Sequence, residues 1–239
     1  MSGHSKWATI HRKKGLIDAE RGKIFQKIAK EIYVAARGTD GNPESNAQLR
    51  MVLEKAKAAN MPKDNIKKAI DKATGAANDV VYEAIRYEGY GPGGIAVMVD
   101  CLTDNRNRTA SSVRANFTKH GGNLGTDGSV SYLFARKGYI IFNKGSLDAD
   151  EVMMVALDAG AEDFEEVDDT FEVTTSPEDF LNVKDALTNM GIEDYETCEI
   201  TFIPGNYVSL DDETREKAEN LLEALDENED VQNVYHNLD

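Results

Sequence analysis

In the first third of the chain, apolar residues recur every three or four positions, which is the spacing of a helix that packs along one face. Between Ala19 and Arg37 this pattern predicts a helix. Its apolar positions are Ile24, Phe25, Ile28, Ile32, Ala35 and Ala36. The opposite side of the helical wheel carries Lys23, Lys27, Lys30 and Arg37. The pattern therefore indicates a helix with one packed face and one basic face.

Two more helices are predicted after the first. Gly38 ends the first helix, and Asn42-Pro43 offers an N-cap and a first-turn proline for a second helix around Leu49 and Leu53. Met61-Pro62 ends the second helix and opens a third, which Gly75 closes. The basic face of this third helix carries Lys67, Lys68 and Lys72. Together the three helices predict a small bundle.

After residue 78 the pattern changes to short runs rich in β-branched and aromatic residues, which is typical of strands. The runs VVYEAIRYEG and IAVMVDCL flank a glycine-rich turn, and a helix and the run SVSYLF follow. Residues 134–204 show the order β-α-β-β-α-β, which is the ferredoxin-like order. The run NYVSL, a helix and the run VQNVYHNL come last and have too few elements for a core of their own.

These elements predict an α+β protein in which an N-terminal helical bundle is followed by two ferredoxin-like α+β domains, one inserted in the other. The last strand-helix-strand is expected to pair with the strands that precede the insertion. The predicted domains are a basic helical nucleic-acid-binding domain over residues 1–77, a discontinuous α+β domain over residues 78–133 plus 205–239, and an inserted α+β domain over residues 134–204.

Charge divides the chain near the same boundary as the secondary structure. The formal net charge is −16, but residues 1–75 carry 16 Lys and Arg against 8 Asp and Glu, a charge of +8, whereas residues 76–239 carry 11 against 35, a charge of −24. The opening stretch MSGHSKWATIHRKKG contains no acidic residue. Because neutralisation of phosphates dominates affinity for nucleic acid, a basic part beside an acidic body favours nucleic-acid binding. The alternative interpretation is a solvated helical surface.

Several classes of function find no support in the residues. No window approaches the roughly 18 consecutive apolar residues of a membrane span, and no apolar segment of a secretory signal is present, so we expect a cytoplasmic protein. Cys101 and Cys198 have neither metal-ligand nor CxxC spacing and are expected to be reduced thiols. No metal-binding, P-loop or nucleophile motif occurs, which predicts a non-enzymatic protein with no metal, cofactor or small-molecule substrate. We also expect a monomer.

The stretch from Gly89 to Gly94 matches G-x-G-x-x-G, the spacing of a dinucleotide-binding turn. That motif requires a following helix whose N-terminus receives the pyrophosphate, whereas IAVMVDCL is rich in β-branched residues. A hairpin turn is therefore predicted instead. Tyr90 on this turn remains a candidate to contact a base or to enter a narrow channel, because glycine-rich loops allow close approach to a ligand.

The segment Thr103-Asp104-Asn105-Arg106-Asn107-Arg108-Thr109 is predicted to begin the next helix, with Asp104 or Thr103 as its cap. Arg106 and Arg108 place two cations in the first turn, where the helix dipole disfavours positive charge. Such a local conflict suggests either a bound anion such as phosphate or pairing of both arginines with acidic residues of the body. The sequence leaves both interpretations open.

Six motifs in order and spacing resemble the YebC/PmpR family, which includes the mitochondrial translational activator of cytochrome c oxidase subunit I. They are GHSKW at 3–7, RGKIF at 21–25, NMPKDNI at 60–66, YEGYGPGG at 87–94, TDNRNRT at 103–109 and GGNLGTDGSVSYLF at 121–134. The resemblance covers essentially the whole chain. It implies a three-domain protein with a helical N-terminal domain and two α+β domains.

The resemblance also implies a function in gene expression. The family has been described as DNA-binding transcriptional regulators, and several members look like translation factors that act on the ribosome and help it through proline-rich sequences. By motif position, the GHSKW tail and the RGKIF helix are expected to be binding surface, and the YEGYGPGG turn and the NRNRT helix start are a second candidate surface.

We therefore predict a nucleic-acid-binding regulator of gene expression of the YebC/PmpR type, with DNA as its partner; the alternative is a ribosome-associated translation factor that binds ribosomal RNA. The predicted nucleic-acid-binding residues are His4, Lys6, Trp7, Arg12, Lys13, Lys14, Arg21, Lys23, Lys27 and Lys30. The secondary surface comprises Tyr90, Gly91, Gly93, Gly94, Arg106 and Arg108. Trp7 either stacks on a base or packs on the bundle. A third possibility is an interaction module whose basic bundle meets an acidic protein.

Overall fold

Three helices occupy the first part of the computed structural model, which describes residues 18–75 and 80–239 and the side chains from residue 21 onward. They are α1 (Asp18–Ala36), α2 (Ala47–Ala58) and α3 (Lys63–Thr74). Their apolar faces meet in one cluster that includes Ile28, Ile32, Leu49, Ala56 and Ala69. The periodicity thus predicted the packed faces correctly.

The predicted start of the second helix is wrong. Asn42 does not cap a helix, because its side chain accepts from the Glu44 N–H at 2.9 Å within a turn. The helix begins four residues later, where the Asn46 side chain accepts from the Leu49 N–H at 3.0 Å and donates to the Ala35 carbonyl at 2.7 Å. Asn46 rather than Asn42 caps α2, because its side-chain amide also donates a hydrogen bond to the end of α1.

The first sheet is antiparallel and has the strand order β3-β1-β2-β8. Its strands are β1 (Glu83–Tyr90), β2 (Ala96–Thr103), β3 (Asn123–Leu124) and β8 (Val231–His236). A short 3-10 turn, Pro92–Gly94, joins β1 to β2 as the predicted hairpin. Helices α4 (Arg106–Lys119) and α7 (Asp212–Asp226) supply the apolar side chains that cover the sheet, among them Phe117 and Leu221.

Two strands predicted for this sheet are not formed. Ser131–Leu133 is a 3-10 turn rather than part of a strand, because the Val130 and Ser131 N–H groups donate to the Glu88 carboxylate instead of to a neighbouring strand. The run NYVSL contributes only one parallel bridge, Val208 to Leu238. The edge position belongs instead to the two-residue strand β3, which pairs with β1.

The second sheet is also antiparallel, with the order β5-β6-β4-β7. Its elements follow the predicted β-α-β-β-α-β order: β4 (Phe134–Asn143), α5 (Ala149–Asp158), β5 (Ala161–Val167), β6 (Thr170–Thr175), α6 (Phe180–Asn189) and β7 (Thr197–Pro204). Ile140, Phe142 and Phe171 of the sheet pack against Val152 of α5 and Val183 of α6. This core is separate from that of the first sheet.

The described chain forms two compact units. The first unit comprises residues 18–75 and 80–131 with Val208–Leu238, and the second comprises Tyr132–Tyr207 with Asp239. The mixed α+β class is confirmed: helices come first, and two antiparallel sheets follow. The finer division into three domains stays a prediction. Among the described helices, none is both long enough and apolar enough to cross a membrane.

Cys101 and Cys198 differ in burial. Cys101 lies in β2 with 3% of its surface exposed, and burial raises its pKa to about 12. Cys198 in β7 is only half-buried. Because the thiolate is the nucleophile, we expect iodoacetamide at pH 8 to modify Cys198 in the native protein and Cys101 only after unfolding in denaturant. Peptide mass spectrometry measures both rates, and equal native rates would contradict the burial of Cys101.

Candidate nucleic-acid interface

The cations of α1 lie against the acidic residues at the end of α7. Lys23 Nζ is 3.2 Å from Glu227 Oε1, and both side chains are exposed. Lys27 Nζ is 2.7 Å from Asp226 Oδ1 and also donates to the Asp226 carbonyl at 2.8 Å. Only 15% of the Lys27 side chain is exposed. Two predicted phosphate contacts are therefore paired with carboxylates in this structure.

The third of these cations joins a buried cluster around Asp230. Lys30 Nζ donates to Asp230 Oδ1 at 3.2 Å and to the Glu229 carbonyl at 2.7 Å. Asp230 Oδ2 also accepts from Arg108 Nη2 and from Thr109 Oγ1, each at 2.8 Å. Burial alone raises the pKa of the Asp230 carboxyl, but the hydrogen bonds from Arg108, Thr109 and Lys30 outweigh it and lower the pKa below its usual range. The cluster therefore holds an ionised carboxylate at neutral pH.

The two arginines at the start of α4 pair with acidic residues, which is one of the two interpretations that the sequence left open. Arg106 Nη1 is 3.1 Å from Glu83 Oε1, and Arg108 Nη2 is 2.8 Å from Asp104 Oδ1 as well as from Asp230. A bound anion is not needed to explain either cation.

The predicted caps of α4 are both wrong. Asn105 caps the helix, since its side chain accepts from the Arg108 N–H at 3.1 Å. Thr103 Oγ1 accepts from the Asn105 N–H at 2.9 Å, which places Thr103 one step before the cap. Asp104 is occupied by its ion pair with Arg108. Asn105, and neither Thr103 nor Asp104, therefore accepts the hydrogen bond from a first-turn N–H group.

The glycines of the hairpin turn differ in their surroundings. Gly91 is buried, and a Cβ there would lie 2.8 Å from Ile95 Cγ1 and 3.1 Å from a methyl group of Leu221. Gly93 is exposed, has a φ of +69° and packs against Leu210. Gly94 has a φ of +77° and open space around it. Of the predicted secondary surface, Gly91 therefore serves packing, and Gly93 and Gly94 lie at the surface.

The structure brings the YEGYGPGG and GGNLGTDGSVSYLF motifs together. Tyr90 pairs with Asn123 across β1 and β3, and its hydroxyl donates to the Ser129 carbonyl at 3.0 Å. The backbones approach closely, since a Cβ at Gly89 would lie 2.6 Å from the Asn123 carbonyl oxygen. Tyr90 keeps 39% of its surface exposed.

Glu88 is an organising residue that sequence reasoning missed. Its buried carboxylate, 5% exposed, accepts from the N–H groups of Gly128 at 3.0 Å and of Val130 and Ser131 at 2.8 Å. Burial alone raises the pKa of Glu88, but these donors outweigh burial and lower it. Glu88 and its donors lie 40 to 43 residues apart, so no local pattern of the sequence connects them.

Other cations of the helical region are exposed and have no carboxylate partner among the described residues. They are Arg37, Arg50, Lys57, Lys63, Lys67 and Lys68. Lys63 and Lys67 are four residues apart on α3 and so share a face of that helix. Arg21, a predicted contact, is exposed and lies with its guanidinium 5.8 Å from the centre of the Phe25 ring. The remaining predicted contacts, His4, Lys6, Trp7, Arg12, Lys13 and Lys14, lie outside the described residues.

The first testable consequence of this geometry concerns Asp230. Replacement by Asn leaves Arg108 and Lys30 without their shared carboxylate, so Asp230→Asn is expected to lower the free energy of unfolding by about 3 kcal/mol at pH 7. Because the folded pKa is depressed, the stabilisation is full above the unfolded pKa of about 3.9 and disappears as pH falls through the folded value. The difference between the proteins should therefore shrink below about pH 4.

Urea denaturation at pH 7 and at pH 3 measures this difference. Asp104→Asn is the matched control, since Asp104 pairs with the same Arg108 but keeps 47% of its side chain exposed. Exposed pairs are typically worth under about 1 kcal/mol. Equal losses for the two variants would contradict a special role for the buried carboxylate.

The second consequence concerns Glu88. A Gln at this position loses one acceptor oxygen and directs an NH₂ group at backbone donors, so Glu88→Gln is expected to cost about 1 to 3 kcal/mol. Amide hydrogen exchange of residues 125–131 should accelerate more than that of the β1–β2 hairpin. Glu83→Gln, on the same strand but exposed, serves as the control. Unchanged exchange in the Glu88 variant would show that the carboxylate does not order this loop.

Comparison with known proteins gives the family of this chain. Residues 5–76 match the TACO1/YebC protein N-terminal domain, and residues 82–238 match the TACO1/YebC second and third domain. A probable transcriptional regulatory protein of Geobacillus kaustophilus is 55% identical over 241 residues, covering 100% of this chain and 98% of that protein. A probable transcriptional regulatory protein of Clostridium beijerinckii is 54% identical, covering 99% of this chain and 96% of that protein.

A solved structure shows the same fold. The crystal structure of a conserved hypothetical protein from Aquifex aeolicus superposes with a TM-score of 0.81 at 47% identity, covering 95% of this chain and 93% of the other. Both matched domain descriptions, the full-length relatives and this structure agree with the six motifs of the sequence. The chain belongs to the TACO1/YebC family.

Proposed function

We propose that this protein regulates gene expression by binding DNA through its helical region. The observation that carries the proposal is the set of exposed cations on α2 and α3 that lack carboxylate partners in the described part of the chain, above all Lys63, Lys67 and Lys68. Residues 18–75 carry 12 Lys and Arg against 8 acids, whereas residues 80–239 carry 11 against 34. Phosphate attraction therefore concentrates on the helical region.

The α1 cations contribute differently in this proposal. Lys23, Lys27 and Lys30 already contact acidic residues, so a phosphate would have to displace carboxylates to reach them. Lys63, Lys67 and Lys68 of α3 have no such competing carboxylate among the residues that the structure describes. The basic tail, with Lys6, Arg12, Lys13, Lys14 and the stacking candidate Trp7, is proposed to extend the same interface. Arg21 belongs to it as well.

The target of the proposal is DNA because the full-length relatives are named probable transcriptional regulatory proteins. The contacts would be mainly to phosphates, since no helix-turn-helix with base-reading positions is predicted. We propose a monomer in the cytoplasm that carries out no catalytic step. Tyr90, Gly93 and Gly94 remain a proposed secondary contact.

For the architecture, we propose three domains with the boundaries predicted from the sequence. The order β5-β6-β4-β7, with α5 and α6 packed on the sheet, supports a ferredoxin-like arrangement for the inserted domain. The other sheet, β3-β1-β2-β8, takes β8 from the end of the chain, which supports a discontinuous domain around the insertion.

Substitution of three α3 lysines tests the interface. Lys63→Gln/Lys67→Gln/Lys68→Gln is expected to weaken binding of a fluorescein-labelled DNA duplex at least tenfold, measured by anisotropy. The slope of log K against log salt should fall by about 2 to 3 units, since each lost phosphate contact removes about 0.9. The matched control, Lys137→Gln/Lys144→Gln/Lys184→Gln, removes the same charge from the second unit and should change affinity less than twofold. Equal effects of both variants would contradict the proposed interface.

Crosslinking in cells, with sequencing of both bound DNA and bound RNA, tests the target. Recovery of DNA without RNA enrichment supports the proposal. If ribosomal RNA is enriched and this enrichment is lost in the α3 variant, the partner is RNA rather than DNA. The proposed interface would then still hold.

A further inference from the structure

Helix α5 of the second unit exposes a stripe of large apolar side chains. Val152 and Ala156 face the core and are at most 1% exposed. On the outer side, Met154 is 61% exposed, Leu157 46% and Met153 37%. We call these three residues the α5 surface. Because residues three and four positions apart are neighbours on a helix, the three side chains form one patch rather than scattered contacts.

An exposed apolar patch of this kind calls for an explanation. Isolated surface hydrophobic residues are ordinary, but contiguous ones that the chain leaves uncovered mark sites of interaction. Methionine is enriched at surfaces that adapt to a partner, because its unbranched thioether chain takes many shapes. Leu147, 36% exposed, precedes the same helix. The patch lies outside the cationic helical region and does not depend on the proposed nucleic-acid binding.

The charged residues of α5 and of the edge strand β5 are all acidic. The 39 residues from 145 to 183 contain 13 Asp and Glu and no Lys, Arg or His. On α5 itself, Asp150, Glu151 and Asp158 are exposed and make no ion pair within the described residues. The adjoining edge strand β5 carries Glu162, Asp163, Glu165 and Glu166. Acidic residues therefore border the apolar patch. Two of them, Glu162 and Glu166, form ion pairs with Lys137 and Lys144.

We propose that the α5 surface docks a basic amphipathic segment of another protein. The apolar side chains of such a segment would cover Met153, Met154 and Leu157, and its lysines or arginines would meet Asp150, Glu151 and Asp158. The acidic residues around the patch favour a basic partner. They repel the phosphates of nucleic acid and the carboxylates of an acidic partner, and they attract cations.

A designed peptide tests the surface on the full-length protein. The probe is a fluorescein-labelled 18-residue peptide of Leu and Lys arranged at helical spacing, and its control is a scrambled peptide of the same composition. The wild-type protein is expected to bind the amphipathic peptide at least tenfold more tightly than the scrambled one. Equal binding would show that charge alone attracts the peptide and would overturn the proposal.

Variants of the protein locate the binding. Met154→Gln/Leu157→Gln is expected to weaken peptide binding at least tenfold with an unchanged melting temperature, because both side chains are exposed. Val81→Gln/Leu181→Gln removes two equally exposed apolar residues elsewhere, at 62% and 53%, and should leave affinity unchanged. Asp150→Asn/Glu151→Gln/Asp158→Asn should weaken binding and flatten its salt dependence. Wild-type affinity in the Met154/Leu157 variant would overturn the proposal.

A second copy of this chain is the alternative occupant of the α5 surface. Sedimentation velocity of the wild-type protein is expected to show a monomer at concentrations that saturate the peptide. A wild-type dimer that Met154→Gln/Leu157→Gln converts to a monomer would assign the surface to a second copy of this chain and would overturn the proposed partner.

Discussion

The buried carboxylate of Asp230 is the interaction on which the arrangement of the first unit depends. It accepts from Lys30 of α1 and from Arg108 and Thr109 of α4, while its own backbone leads into β8. The Asp230 side chain is only 7% exposed, and a buried carboxylate is stable only when its oxygens accept hydrogen bonds. The charge of Asp230 therefore depends on all three donors. The same pairing takes up the positive charge of Lys30 and Arg108, two residues that were predicted to contact nucleic acid.

This pairing divides the basic residues into two groups. Lys23, Lys27 and Lys30 of α1 and the two arginines at the start of α4 form ion pairs with carboxylates. Arg50 and Lys57 of α2 and Lys63, Lys67 and Lys68 of α3 are exposed and have no carboxylate partner among the described residues. Sequence charge alone cannot make this distinction, because it records how many cations a segment holds and not which of them already have partners. The second unit shows the opposite sign, with an acidic helix that leaves methionines exposed.

The sequence predicted what depends on local pattern. Helical spacing located the packed faces of α1 and α3, and β-branched runs located β1, β2 and β4, because burial of one face imposes a period on the residues. It failed where two local signals compete or where the partner is distant. Asn42 and Asn46 are equal as caps in sequence, and only the contact of Asn46 with Ala35 decides between them. The strand β3 and the role of Glu88 depend on contacts between residues 33 to 43 positions apart, which lie outside any window used to detect periodicity.

The contacts between α1 and the end of α7 span about 200 residues of sequence, as in the pair of Lys30 and Asp230. During synthesis α1 leaves the ribosome well before its acidic partners exist, by roughly 10 to 40 s at ordinary elongation rates. In that interval its lysines are unpaired, and the unit cannot reach its final packing. Folding of the first unit is therefore completed only when the last part of the chain has been made, and truncation before Asp226 would remove the carboxylate partners of Lys23, Lys27 and Lys30.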